Sequence, residues 1–385
     1  MDKSRTERYM KERRRRRQSM LLGGLMLGLV ALLLLGIAGG IALLFTPRTP
    51  PEAAPPVPAE PAGTPPEDVE VTLHFVGDVM MAGRVGDLLE EKGYDYPYTH
   101  VRSLFQTDDY TVANLETPVT NRGVPASNKQ YVYKSSPKAI TPMRKAGVDL
   151  VNLANNHIMD QGESGLLDTL AFLRQNQVAY VGAGADAAEA YAPHLVERNG
   201  LTIAFLGFSR VVPHVSWYAG DGKPGVAATY DPALALEAIK QARTKADLVV
   251  VIAHWGREKE DFPVDYQRSL AKRYIDAGAD LVVGGHPHVL QGLESYRGKW
   301  IAYSLGNFIF TRSPSAKTWE TMILQATCRR DGSCRLRMHP FWTELGQAVP
   351  MIDTDAARLR KRVESISTQI QIDPEGWIIP SSAGP

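Results

Sequence analysis

Cysteine is nearly absent, with 2 in 385 residues, Cys328 and Cys334. Metal donors elsewhere in the chain are therefore carboxylate and amide oxygens and imidazole nitrogens, a set that suits zinc, manganese or iron. Net charge is also scarce. It is +1 at pH 7, and no uniformly basic surface points to nucleic acid, so no nucleic-acid partner is expected. A composition of 44% hydrophobic and 22% charged residues excludes a disordered or collagen-like chain and permits a large buried core. No internal repeat is visible. A dinucleotide-binding loop is missing too: Gly182-Ala183-Gly184 lacks the third glycine, and Asp186 with Glu189 reads as a capping pair at a helix start.

The near-neutral total hides an asymmetry. Lys3, Arg5, Arg8, Lys11 and the run Arg13 to Arg17 precede an uncharged apolar stretch from Met20 to Phe45. Such a stretch exceeds the roughly 20 residues that span a bilayer, and the positive flank holds that end in the cytoplasm. A cleaved signal peptide is the competing account, but its apolar region usually runs about 7 to 15 residues. The expected layout is a basic cytoplasmic segment at 1–19, an uncleaved anchor at 20–45 and a Pro/Ala-rich spacer at 46–68. A globular domain at 69–350 and a C-terminal helix and tail at 351–385 then lie outside the membrane.

The globular part alternates strand-like and helix-like segments. Val69 to Phe75 alternates apolar and polar, as a half-covered strand does, whereas Leu248 to Ala253 is apolar throughout, as a strand buried on both faces is. Helices are expected over 137–146, 165–175, 232–243 and 266–277, the third with Asp231 as N-cap and Pro232 in first position. Thr354 is expected to cap a further helix over 356–366, with 376–385 loosely ordered. The fold class is thus α/β, a layered sandwich with helices outside the strands. The polar segment Ser209 to Tyr230 is longer than a short connection needs and is expected to act as a lid or substrate loop.

Polar residues recur just past the ends of the apolar runs. Asp78 follows His74-Phe75-Val76-Gly77; Asn114 and Glu116 follow Tyr110 to Ala113; Asn156 and His157 follow Asp149 to Asn155; His254 follows Asp247 to Ala253; His286 and His288 follow Asp280 to Gly285. Open α/β sheets bind ligands beyond the carboxyl ends of their strands, so these distant residues can converge on one crevice. In extended chain, His286 and His288 would face one side, with Pro287 stiffening the turn. A lone buried histidine is ordinarily a satisfied core residue, but five runs ending alike point to one metal centre. His74, His100, His194, His214 and His339 follow no buried run and are expected to be solvated or structural. Trp255, beside His254, is expected to form a wall of the cleft.

The two cysteines flank Arg329 to Ser333 in a β-hairpin pattern. A two-residue Asp331-Gly332 turn would leave them diagonal; a three-residue loop with Gly332 in the left-handed region would set them opposite and permit a disulfide.

The motifs GDVMMAGR at 77–84, NLETP at 114–118, NLANNHIMDQGESGL at 152–166, HWGRE at 254–258, GADLVVGGHPHVLQ at 278–291 and AYSLGNFIF at 302–310 resemble the bacterial capsule-synthesis family of CapA or poly-γ-glutamate synthesis proteins. That family in turn resembles the calcineurin-like metallophosphoesterases, which implies an α-β-β-α sandwich. The resemblance implies Asp78, Glu116, Asn156, His254, His286 and His288 as metal ligands and His157 as general acid. It implies one or two divalent ions, manganese, iron or zinc. Asp160, three residues after His157, reads either as its orienting partner or as a turn residue before Gly162. Arg84, Asn114, Trp255, Glu258 and Asn307 are the candidate substrate contacts, and Arg210 and Lys134 are further cations suited to carboxylates or phosphates.

Two departures stand out. The wider superfamily has Asp-x-His on its first strand where this chain has Asp78-Val79-Met80, and Glu116 replaces the second aspartate. Methionine is a poor ligand for hard ions. The resemblance implies a role in making, anchoring or exporting an anionic surface polymer at the bacterial cytoplasmic membrane, alongside capsule synthase or export subunits. Hydrolysis or transfer of the polymer or a phosphate-linked precursor is one expectation. A non-catalytic accessory that binds polymer or supports a synthase is the other.

Overall fold

The computed structural model describes residues 69–127 and 129–381. The basic segment, the apolar stretch at 20–45 and the spacer lie outside these residues. Among the described residues no helix is long and apolar enough to cross a membrane.

Two mixed sheets carry the chain. In the 10-stranded sheet the strand Glu70–Val79 pairs on one side with Tyr110–Leu115, followed outward by Val148–Asn152 and Ala179–Val181, all parallel. On its other side it pairs antiparallel with Glu320–Arg329, and that strand pairs with Cys334–Glu344. The 6-stranded sheet runs Leu290–Tyr296, Lys299–Leu305, Leu281–Gly285, Leu248–His254, Leu201–Ser209 and His194–Arg198. Its inner strands are parallel, so their carboxyl ends share one edge.

The core has three layers. Leu73, Phe75, Val112 and Leu150 of the first sheet meet Ile203, Phe205, Val250 and Val283 of the second between the sheets. The opposite face of the first sheet packs Val79, Ala113 and Val151 on Leu89, Ile140 and Leu170 of its helices. The opposite face of the second packs Leu206, Val251 and Val282 on Ile239 and Tyr274 of the helices Ala233–Arg243 and Asp265–Ala277. This produces an α-β-β-α arrangement. Burying each such Leu or Phe stabilises by about 1.5–3 kcal/mol, whereas an exposed ion pair contributes about 0–1 kcal/mol. The face-to-face sheets, rather than the peripheral ion pairs, therefore hold the strand ends in place.

Local chemistry sets the helix ends. The third expected helix starts one residue later than expected, at Ala233 with Pro232 at the N-cap, and Asp231 Oδ1 accepts from Ala233 N at 3.0 Å just ahead of it. Asp186 Oδ1 accepts from Glu189 N at 2.8 Å while Glu189 Oε2 accepts from Ala185 N at 2.8 Å. The C-terminal helix begins earlier than expected, at Asp353, so Thr354 lies within it rather than capping it. The tail departs further from expectation. Trp377–Pro380 pairs with Ile370–Ile372 and with Leu336 and Arg337, extending the large sheet, because Ile370 and Ile378 complete its buried face. The hairpin closes through Arg329 N to Ser333 O at 2.9 Å with Gly332 at φ +77, which is the three-residue loop. Cys328 sits opposite Cys334 and is joined to it by a disulfide.

Candidate metal centre

The site lies beyond the strand ends, and two glycines permit its closeness. Asp78 N donates to Gly306 O at 2.9 Å. A Cβ on Gly77 would sit 1.9 Å from the same oxygen, and a Cβ on Gly285 would sit 2.8 Å from Asp78 Oδ1. Neither position accepts a side chain without moving the first carboxylate.

One oxygen or nitrogen from each of Glu116, His254 and His286 lie within 4.8 Å of one another, and so do those of Asp78, Glu116 and His288. Glu116 belongs to both groups. Its Oε1 lies 3.6 Å from His254 Nε2 and 3.9 Å from His288 Nε2, too far for hydrogen bonds, and both of its oxygens are buried without a partner. His286 Nδ1 is likewise buried and unpartnered. Such groups cost roughly 1–3 kcal/mol each if nothing engages them. Two buried carboxylates grouped with three imidazoles, with both Glu116 oxygens and one His286 nitrogen unpartnered, fit a hard or borderline divalent cation.

The surrounding residues aim the donors. Asn114 Nδ2 donates to Asp78 Oδ1 at 2.7 Å and lies 3.2 Å from His254 Nδ1, while its Oδ1 accepts from Asn152 Nδ2 at 2.9 Å. His254 Nε2 meets Asn156 Oδ1 at 2.7 Å. His288 Nδ1 lies 3.1 Å from Asp78 Oδ2 and 2.9 Å from Asn307 Oδ1, leaving Nε2 turned toward Glu116. The two imidazoles of His286 and His288 do not come from extended chain. Their φ values are +95 and +57, left-handed for both, and this turn rather than a strand alternation aims one ring at each group.

His157 is pinned behind Asn156. Asn155 Oδ1 accepts from His157 N at 3.1 Å and from Ile158 N at 2.9 Å, fixing the turn. His157 Nδ1 lies 2.7 Å from Asp160 Oδ2, and Tyr133 N donates to the same oxygen at 2.8 Å. Asp160 also shapes the turn, its N donating to His157 O at 2.9 Å, so both readings of that residue describe it. Lys129 was not singled out from the sequence. Its ammonium contacts the Asn156 carbonyl and Asp160 Oδ1 and lies 2.8 Å from His157 Nδ1.

Burial dominates the electrostatics. It pushes Glu116 well above the usual carboxylate range, and the Asp78 charge adds to this. It holds His254 and His286 well below the ordinary imidazole value, reinforced by neighbouring imidazoles. Burial also lowers His288, but Glu116 and Asp78 outweigh it and carry that ring up to about 10. His157 is lowered by burial against the opposing bond to Asp160. Lys129 is lowered by burial against the pull of Asp160.

Not every expected contact is in place. Trp255 is no cleft wall: it is fully buried, donates Nε1–H to Tyr303 O at 2.9 Å and stacks on Tyr274 on the helix side of the second sheet. The residue after His254 points away from it because strand neighbours alternate. Asn114 and Asn307 are buried and committed to Asp78, His254 and His288, which makes them supports rather than substrate contacts. Arg84 lies exposed at the start of the Gly83–Lys92 helix, joined to no donor by a hydrogen bond or ion pair among the described residues. Glu258 is exposed, and its charge raises Glu116 and His288, which puts it at the rim. Met80 is buried in the apolar layer and its sulfur accepts from Ala82 N at 3.3 Å, so the first strand supplies no second donor there. Of the histidines expected to be solvated or structural, His74 is buried 2.8 Å from Asp108, and His194 and His339 meet Tyr110 and Gln325; His100 and His214 are exposed.

Known bacterial proteins share this chain's sequence pattern. The family described as bacterial capsule synthesis protein PGA_cap matches residues 72–312. The chain is 36% identical over 285 residues to the "PGA biosynthesis protein CapA" of Bacillus subtilis, covering 74% of each chain. It is 33% identical over 292 residues to the "Capsule biosynthesis protein CapA" of Bacillus anthracis, covering 74% of this chain and 70% of that one. Among solved structures, a hypothetical protein from Thermus thermophilus superposes with a TM-score of 0.45 at 15% identity, covering 71% of this chain and 100% of that one.

Proposed function

Because the chain belongs to the PGA_cap family of bacterial capsule synthesis proteins, we propose that it serves capsule assembly as a membrane-anchored, outward-facing metal-dependent hydrolase or transferase. Its substrate would be an anionic surface polymer of the poly-γ-glutamate type or a phosphate-linked precursor. The apolar stretch at 20–45 and its basic flank support anchoring with the globular domain outside the cytoplasmic membrane, where capsule synthase or export subunits would be its neighbours.

The observation that carries the enzymatic reading is Glu116: a fully buried carboxylate, both oxygens unpartnered, shared between two groups of candidate ligands. Glu116, His254, His286 and Asn156 would hold one ion, and Asp78, Glu116 and His288 a second where two are bound; manganese, iron and zinc all accept these donors. When bound, a divalent ion supplies a low-pKa water and polarises a phosphoryl or acyl oxygen. The chain's own residues do the rest. Asn114 fixes Asp78 relative to His254, so both donors keep one geometry. Asp160 and Lys129 engage His157 through Nδ1. That leaves Nε2 to pass a proton to the leaving group, the task of a general acid.

A specific observation favours a second reading. Met80 stands buried where the wider superfamily places an imidazole, which weakens the Asp78 group and suits a cleft that binds polymer without cleaving it. Metal analysis of full-length protein after saturation with manganese, iron or zinc separates the two readings, followed by assay on a phosphodiester and on γ-glutamyl oligomers. His157→Ala is expected to abolish turnover and retain metal; loss of metal in that variant would make His157 a ligand instead of the acid. Failure of the wild-type protein to retain any divalent ion would refute the hydrolase and leave the accessory.

A further inference from the structure

We infer that Arg210, held between tyrosine rings beside the metal centre, is a subsite for a carboxylate of the substrate; this rests on the reading that the cleft meets an anionic polymer. Arg210 is the first residue past the strand Leu201–Ser209, whose last residue is in register with His254. Its N donates to His254 O at 2.8 Å, so the side chain is rooted next to a candidate ligand. The guanidinium carbon lies 4.1 Å from the Tyr230 ring centroid and 5.4 Å from that of Tyr266. Tyr266 is itself tied to the turn after His254, its hydroxyl accepting from Gly256 N at 2.7 Å and donating to Gly256 O at 3.1 Å. Tyr218 stacks on Tyr230 at 5.9 Å, and Tyr230 is 48% exposed, so the cage opens to solvent.

What the cage lacks is a countercharge. Arg210 Nη1 is buried with no hydrogen-bond partner, and no carboxylate pairs with the guanidinium among the described residues. Several other half-buried cations among the described residues do have carboxylate partners: Arg243 and Lys299 with Asp280, Arg362 with Glu320 and Asp261. Ring faces attract a guanidinium but satisfy none of its in-plane N–H donors. Contact with the rings consumes none of the guanidinium N–H donors, which stay available for bidentate recognition of a planar oxyanion. A single cation matches the single charge of a carboxylate. The other buried cation beside the centre, Lys129, is committed to Asp160. The segment from Ser209 to Tyr230 thereby acquires a purpose, presenting Arg210, Tyr218 and Tyr230 together.

Calorimetric titration of the full-length protein with γ-linked tetraglutamate tests this, because binding is read without turnover. Arg210→Met is expected to weaken the oligomer roughly ten-fold or more, with Arg210→Lys intermediate and manganese content unchanged. The same oligomer with its free α-carboxylates amidated should bind wild type about as weakly as the acid form binds Arg210→Met. Tyr230→Leu, at an exposed ring, should weaken the acid form without unfolding the chain. Equal affinity of wild type and Arg210→Met for the acid oligomer overturns the proposal, as does no binding to wild type. Competition by inorganic phosphate that depends on Arg210, with no loss on amidation, replaces the carboxylate by a phosphoryl group and overturns it too. Loss of metal or of turnover in the wild-type protein sinks the hydrolase reading and leaves this test intact.

Discussion

Replacing Glu116 with glutamine should invert the chain's stability ranking between metal-free and metal-saturated conditions. Neither Glu116 oxygen has a hydrogen-bond partner, the side chain is fully buried, and the nearby Asp78 charge opposes its ionisation. Without metal, the amide is neutral at every pH and removes the cost of holding the carboxyl in that site, a gain of about 1–3 kcal/mol. The sign with pH follows from linkage. The Glu116 carboxyl is raised in the folded chain, so the folded state keeps its proton where the unfolded state has lost it. Metal-free wild type therefore loses stability as pH climbs above 4.5, and Glu116→Gln removes that part of the slope. With metal present the order reverses. An ion at 100 times its dissociation constant stabilises wild type by about 2.7 kcal/mol, or about 5 °C in midpoint for a domain of this size. The variant has lost the anionic donor common to both groups and gains much less. Scanning calorimetry of both proteins in chelator and in saturating manganese or zinc checks this. Equal metal-induced shifts in the two proteins, or a variant less stable than wild type in chelator, would refute it and make Glu116 a buried protonated acid of purely structural use.

Other outcomes follow from contacts outside that carboxylate. Lys129→Met should lower kcat about 10²-fold with KM and metal content little changed, and Lys129→Arg should restore part of it; loss of metal would assign Lys129 to the Asn156 turn instead. His339 is lowered to about 4 by burial, so the unfolded chain takes up a proton from pH 6.5 downward before the folded chain does. Stability is then lost as pH falls from 6.5 toward 4, by about 2 kcal/mol after allowance for partial exposure. His339→Gln should flatten urea midpoints across that window, and an unchanged slope would refute the assignment. Reducing the Cys328–Cys334 disulfide should cost about 2 kcal/mol, as its small ring implies. Two free thiols in unreduced, denatured protein would contradict the bond.

The convergence of the candidate donors was legible because sheet topology produces it. Asp78, Glu116, His254, His286 and His288 follow apolar runs, and parallel strands buried on both faces deliver their carboxyl ends to one edge whatever the loops do. Pattern alone could not tell a donor from its support. Asn114 stands two residues before Glu116, and strand alternation gives no means of seeing that its amide is consumed by Asp78, Asn152 and His254. Trp255 failed for a related reason. Adjacency to His254 suggested the cleft, but the next residue along turns to the other face, where Tyr274 and Tyr303 wait.

The cations were the least visible part, and the reason is physical. A lysine or arginine carries its charge at the end of a long flexible stem, so its head can act several residues' reach from its Cα, and sequence position says little about where it lands. Lys129 arises in a segment with no strand or helix pattern, yet its ammonium reaches His157 and Asp160. Arg210 is one of several cations in the sequence suited to carboxylates or phosphates, and only its neighbours Tyr230 and Tyr266 and its unpartnered Nη1 single it out. The division of labour follows from this. Short carboxylates and imidazoles at strand ends can be fixed by the sheets, as metal ligands must be, whereas anion recognition falls to long side chains from loops that tertiary packing alone brings into line.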